Sequence, residues 1–207
     1  MINPRVAVPR HYIVVSRSSD LPVDLETVKE HLKLDEDDTS EDQYLTLLIQ
    51  SATNIGEFIT KRDFYIKTYK VFMDTFNFCN GFELRKSPLN SVDNISYYKG
   101  GSLVVLDSSK YYLTQSETFR SLYPVNNWPT DVDCNRKQAV EIEFQAGYAN
   151  GELPYDLQIA LLQHITSLYE NRGDCSCQSK IMQFLPSTSR AAYEFWRIKD
   201  LRVFANG

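Results

Sequence analysis

The side chains best suited to chemistry are a run of carboxylates, a close pair of cysteines and a few histidines. Asp35, Glu36, Asp37, Asp38, Glu41 and Asp42 crowd one short stretch. A calcium loop of the EF-hand kind starting at Asp35 would need Gly at its sixth position and a bidentate Glu at its twelfth. Ser40 and Thr46 stand there instead. The run therefore reads as a solvated helix N-terminus, where carboxylates sit well against the helix dipole. Cys175-Ser176-Cys177, with His164 upstream, resembles half a metal site. Zinc sites space paired cysteines by about two to four residues and need further ligands, and no second pair lies near. His164 shares a helical face with Leu157, Leu161 and Leu168, so it is expected as a hydrogen-bonded core histidine. The histidines are His11, His31 and His164. None is placed by sequence beside a Ser or Cys nucleophile, and there is no G-x-S-x-G elbow, H-E-x-x-H pair or Gly-rich phosphate loop. Glu141 and Glu143 lie on one face of an expected strand and suit exposed alternation better than a hydrolytic carboxylate pair. No catalytic residue, metal or cofactor is expected.

The elements that would position such residues alternate in type along the chain. With 207 residues, 43% hydrophobic and 24% charged, the chain has enough material for one large or two small domains. Residues 1–22, with Pro4, Pro9 and Pro22 and no sustained period, read as an N-terminal arm. Residues 23–63 read as the first part of a helical core. Leu25, Val28 and Leu32 mark a short helix with Asp24 and Glu26 in its first turn. A longer helix follows, with an apolar face through Tyr44, Leu47, Leu48, Ser51, Ala52, Ile55, Phe58 and Ile59. Thr39 or Ser40 is its expected N-cap, with Lys61 and Arg62 in its last turn.

Residues 64–150 change character and read as a β-rich inserted domain. Ile95–Tyr98 and Leu103–Leu106 flank Lys99-Gly100-Gly101-Ser102, a hairpin in which Gly-Gly supplies positive φ. Tyr111–Thr114 and Thr118–Tyr123 form a second strand pair. Val140, Ile142, Phe144 and Ala146 alternate with Glu141, Glu143 and Gln145, a half-buried strand with an acidic wet face. Residues 151–207 return to helix: Pro154 opens an apolar helix that Gly173 stops, and a last helix covers roughly Ser189–Leu201. The fold class is α+β.

Charge and cysteine usage narrow the function classes. The formal net charge is −5, and no dense Lys/Arg cluster offers a phosphate-gripping patch, so specific nucleic-acid binding is not expected. No run of about 18 apolar residues exists to span a bilayer. Met1–Arg10 carries prolines and arginines rather than a secretory apolar run, so a reducing cytoplasm with free thiols is expected for Cys79, Cys134, Cys175 and Cys177. Thirteen Tyr, eleven Phe and two Trp are generous for this length, and aromatics are enriched at protein–protein interfaces. Trp128 and Tyr148 are expected to fill the β block, Trp196 and Phe204 to serve an interface.

Several segments, read in order, resemble the bacteriophage head–tail connector (adaptor) family of the HK97 gp6 type, in its longer phiE125 gp8-like form. They run from Leu25–Leu34, the acidic turn and Leu45–Thr60 to Ser87–Val92, Ile95–Tyr98 and Tyr111–Leu113. Trp128-Pro129, Ala139–Tyr148, Leu153-Pro154 and Leu168–Arg172 complete the series. The Cys175–Gln178 loop departs from it, and Ser189–Arg202 matches loosely. The resemblance implies a four-helix connector core and a homo-oligomeric ring, a dodecamer, under the portal of a virion neck. It implies assembly in the host cytoplasm, portal protein and the next neck or tail protein as partners, and genomic DNA passing through the lumen without specific binding. It also implies portal contact by the C-terminal segment, where Trp196, Arg197, Leu201, Arg202, Val203 and Phe204 are the interface candidates. The alternatives are another neck or tail-completion ring, a stopper, or outside the virion a cellular binding module or hydrolase.

Overall fold

A computed structural model describes residues 11–76, 81–116, 118–172 and 185–199. The protein is α+β and folds as two compact units: the chain up to Arg17 with Ile66–Gly147, and Ser18–Tyr65 with the chain from Tyr148 onward.

The first unit is built on antiparallel strands. β1 (His11–Arg17), β2 (Lys67–Met73), β4 (Leu89–Lys99), β5 (Ser102–Val105) and β8 (Val140–Ala146) form one sheet in the order β1-β2-β8-β4-β5. β3 (Phe82–Leu84), β7 (Arg120–Pro124) and β6 (Tyr111–Leu113) form a second. The alternation in β8 sets the register: Val140, Ile142, Phe144 and Ala146 are buried against Tyr69, Val71, Ile95 and Leu122. Its glutamates take the other face, where Lys70 reaches Glu143 at 3.3 Å and Glu141 at 3.9 Å. The expected Gly-Gly hairpin is present. Gly100 and Gly101 have φ of 58° and 81°, and both amides donate to the Asp133 carboxylate at 2.8 Å. Trp128 joins this unit as expected, its ring stacked on Phe76 at 4.9 Å.

One correction falls at the start of the chain. His11–Arg17 is not arm but an edge strand, paired with β2 and carrying a bulge between Val14 and Ser16. Its burial does not alternate: Ile13, Val14 and Val15 are all exposed. Tyr12 secures it by meeting Phe144 edge-on and accepting a hydrogen bond from the Arg85 amide at 3.0 Å.

Among the described residues the second unit packs four helices: α1 (Leu25–Leu32), α2 (Asp42–Thr60), α3 (Tyr155–Glu170) and α4 (Ser187–Trp196). Asp24 caps α1, accepting from the Thr27 amide at 2.7 Å, and that bond holds its carboxyl below the usual range. α1 ends at Lys33 in the left-handed region. The N-cap of α2 is Glu41, not Thr39 or Ser40, because those residues are folded into the preceding turn. The Ser40 amide donates to Asp38 Oδ1 at 2.9 Å, and the Thr39 carbonyl accepts from Asp42. Lys61 is the C-cap of α2 rather than part of its last turn.

The buried face of α2 also differs from the expected one. It runs through Leu45, Leu48, Ile49, Ala52, Thr53, Gly56, Ile59 and Thr60. Thr53 and Thr60 enter it because their hydroxyls return to the carbonyls of Ile49 and Gly56, at 2.7 and 2.8 Å, and need no outside partner. Gly56 enters because a ring fills its place: a Cβ there would stand 2.6 Å from Phe64. Leu47 and Phe58, read as core, are exposed.

α3 follows Pro154 and has Asn171 as its C-cap; the expected stop at Gly173 lies outside the described residues. α4 begins earlier and ends sooner than its pattern suggested. Arg197 turns extended after Trp196, and the Ile198 amide donates to the Thr60 carbonyl at 2.9 Å. Tyr148 packs against this helical core rather than filling the β block.

Candidate assembly surfaces

The acidic turn is organised by a cation of its own chain. Lys29 is 5% exposed, and its Nζ donates to the carbonyls of Glu36 and Asp38 at 3.0 and 2.9 Å. It also ion-pairs with Asp42 Oδ1 at 2.6 Å. An ammonium of the chain itself thus occupies the inside of the acidic turn, on oxygens of Glu36, Asp38 and Asp42 that are not ligand positions of a calcium loop starting at Asp35. Asp35, Glu36, Asp37 and Asp38 remain exposed outside it. The bonds that Ser40 gives Asp38 hold that carboxyl below its ordinary value.

Glu41 links the start of α2 to the end of α3. It accepts from the Tyr169 hydroxyl and from Arg172, both at 2.5 Å, and these bonds pull its carboxyl below the usual range. The Arg172 guanidinium lies 4.0 Å from the Tyr169 ring centre and 5.2 Å from that of Tyr44.

The groups considered for catalysis do not converge. His164 is fully buried in α3, edge-on to Tyr193 at 6.2 Å between ring centres. Burial pushes its imidazole down to about 4. It is a core histidine, but the expected hydrogen bond is missing: neither ring nitrogen meets a partner among the described residues. The Ser189 and Tyr193 hydroxyls likewise meet no partner among the described residues, so the buried polar atoms of the α3–α4 contact stay unpaired. Glu141 and Glu143 share Lys70. His31 and Cys134 are exposed. Cys79, Cys175 and Cys177 lie outside the described residues, and among the described residues no three metal-ligating side chains cluster. No described helix is long and apolar enough to cross a membrane.

Of the C-terminal interface candidates, the structure describes two. Trp196 is half-buried against the helical core; its carbonyl accepts from Arg62 Nε at 2.9 Å, and the Arg62 guanidinium lies 5.7 Å from its ring centre. Arg197 is exposed, with Glu194 at 3.2 Å. Leu201, Arg202, Val203 and Phe204 lie outside the described residues. The neighbouring Phe195, by contrast, is 79% exposed.

The exposed apolar side chains gather in a few places. In the strand-built unit they are Ile13, Val14 and Val15 on β1, Leu103, Val104 and Val105 on β5, Tyr112 on β6 and Val125 just after β7. On the helical unit they are Leu47 and Phe58 on α2, Tyr155 and Ile159 on α3, and Phe195 on α4. A groove of about 400 Å³ runs between α3 and α4 beside Ile159 and Phe195. Leu47 and Phe58, expected on the core face of α2, belong to this surface instead. The available signal was that α2 is apolar over more of its circumference than one buried stripe needs.

No protein-family model matches the sequence, and neither does any curated protein. Solved structures do match. One is a chain of the virion of a native gene transfer agent particle, with TM-score 0.73 and 18% identity over 91% of this chain and 95% of that one. Another belongs to the neck of an empty gene transfer agent particle computed with C6 symmetry, with TM-score 0.70 and 16% identity over 91% and 96%. A third belongs to the neck of the native particle computed with C12 symmetry, with TM-score 0.59 and 18% identity over 90% and 96%. At this identity the likeness is one of fold, and it takes in the β-bearing and helical segments of this chain alike.

Proposed function

We propose that the chain is a structural, non-catalytic subunit of the neck of a phage-like particle. In this reading it is a head–tail connector that forms a ring under the portal, joins capsid to tail and continues the DNA channel. The observation that carries the reading is the likeness over nine-tenths of the chain to neck chains of particles computed with C12 and C6 symmetry. The ring is read as a dodecamer, a reading that the C12 symmetry of one of these necks supports. The particle would assemble in the host cytoplasm, and the chain would end in the virion neck. The net charge of −5 suits a ring that DNA slides through, since carboxylates facing a lumen repel phosphate. Portal contact is assigned to the C-terminal segment, with Trp196 anchoring the helix end on the core and Arg197, Leu201, Arg202, Val203 and Phe204 reaching the portal. Aromatic and Arg side chains dominate binding hot spots.

The test is native mass spectrometry of the chain with the portal protein of the same particle, followed by cryo-electron microscopy of the particle. Equal copies of both chains, with this chain directly against the portal, are expected. Density for this chain one ring further from the capsid would instead make it a stopper. No association at any salt concentration, and no place in the particle, would overturn the reading. Deleting Leu201–Gly207 should leave a folded protein that no longer joins portal-bearing capsids.

A further inference from the structure

The outward face of α2 is unusual for a helix in water. Its exposed residues are Gln43, Leu47, Gln50, Ser51, Asn54 and Phe58, and none is charged. No Lys or Arg occurs between Lys33 and Lys61. The water-facing side of a surface helix ordinarily carries charges, whereas charge depletion around apolar anchors marks the centre of an interface. Two anchors stand there, Leu47 at 57% and Phe58 at 81% exposed, eleven residues apart and so on one side of the helix. That side is turned away from the stripe that packs on α3 and α4, so α2 cannot reach the groove between those helices in its own copy.

The groove offers apolar surface for such anchors. Ala160 and Ala192 line it with small side chains, Ile159 and Phe195 add larger apolar surface, and the Asp156 carboxylate stands among them. A Thr188 hydroxyl bonded to Gln163 at 2.7 Å closes one end. Charge is complementary. The α4 segment and the groove together expose three cations, Arg190, Arg197 and Lys199, against two carboxylates, Glu194 and the groove-lining Asp156, whereas the turn leading into α2 exposes Asp35, Glu36, Asp37 and Asp38 and no cation between them.

We infer that neighbouring copies of this chain join through these unlike faces, the charge-free side of α2 on one copy entering the α3–α4 groove of the next while its acidic turn lies along the cations of α4. The inference rests on the ring reading above and names its contact. Because the two faces differ, the contact is heterologous, the kind that closes into a ring when the rotation per subunit divides a full turn.

Cross-linking on the assembled, portal-bound ring tests it. In a background with serine at the native cysteines, chains carrying Phe58→Cys are mixed with chains carrying Ala192→Cys and treated with a short bis-thiol reagent. Covalent dimers are expected only from the mixture, and a ladder of multimers from a chain bearing both substitutions. Phe58→Asp, at an exposed position, should leave the helical circular dichroism unchanged and weaken self-association about thirtyfold, a typical hot-spot loss. Replacing Asp37 and Asp38 by Lys should weaken association as well, and Arg190→Glu with Lys199→Glu in the partner copy should restore it. A ring seen by mass spectrometry without the cross-link, or without charge-swap rescue, overturns the face assignment and leaves the ring reading standing. A chain that never multimerises on the portal overturns both. If removing residues 200–207 exposes Ala192→Cys to labelling in the monomer, the chain's own tail fills the groove and the assignment falls.

Discussion

Replacing Lys29 by Met removes one ammonium and little else, since the aliphatic stem keeps its volume in the core. The carbonyls of Glu36 and Asp38 lose their donor, and Asp42 loses a counter-ion 2.6 Å away. Breaking a fully buried ion pair costs about 3–5 kcal/mol, and a hydrogen bond to a charged group contributes about 1.5–3 kcal/mol. Full burial does not apply here: Lys29 is sealed, but the Asp42 side chain is 30% exposed, and Glu36 and Asp38 lie at the surface, so water takes up part of the loss. The expected destabilisation is therefore about 2–3 kcal/mol. For a chain of this length that lowers the melting temperature by roughly 5–10 °C. Urea unfolding followed by helical circular dichroism, with calorimetry alongside, measures it. The loss should depend little on ionic strength, because salt screens sealed charges poorly. A midpoint within about 0.5 kcal/mol of wild type, the range of ordinary surface substitutions, would refute the reasoning. The acidic turn would then be held by its own local bonds, from the Asp37 amide to Asp35 and from the Ser40 amide to Asp38.

His164 predicts a pH dependence. Its buried imidazole titrates near 4 rather than 6.5, so between those values the unfolded chain takes a proton that the folded chain refuses. Stability is then full above pH 6.5 and declines on acidification towards pH 4, by about 1.4 kcal/mol per pH unit. His164→Leu should flatten that limb in urea midpoints measured from pH 6.5 to 4.5; identical slopes in both proteins would count against it. Gly56→Ala should destabilise by about 1–2 kcal/mol despite the better helix propensity of Ala. The new methyl group would meet Phe64 at 2.6 Å and Tyr193 at 3.3 Å, and a thermal shift upward would show that those rings yield.

Where one face of an element is buried and the other wet, the sequence was readable. β8 alternates because β2 and β4 flank it and one side of the sheet is core, and Gly100-Gly101 marks a turn that few other residues can make. Legibility failed where burial and polarity part company. α2 buries Thr53, Gly56 and Thr60 and exposes Leu47 and Phe58, so counting apolar residues assigns the wrong side. The edge strand β1 hides little but Tyr12 and therefore carries no period. His164 reads as core from its neighbours on the helix, but whether its nitrogens find partners depends on α4, more than twenty residues later. The place of Lys29 in the acidic turn is likewise a tertiary fact, invisible to a scan for metal-ligand spacing.

The central position of β8 has a consequence for how the chain is made. On the ribosome β2 emerges long before its inner neighbour, and β4 waits likewise, because both pair with a strand that begins only at Val140. Until then each presents an unsatisfied ladder edge, the form of strand most open to pairing with a foreign chain. The helical unit is in the same position, since α1 and α2 must await α3 and α4. Both units are thus completed by the last third of the polypeptide, and a truncated product released before Val140 would hold neither core. Such a topology folds slowly, through long-range pairing. It also gives the cell a simple quality check, because only chains that extend through α4 can bury the apolar surface of both units.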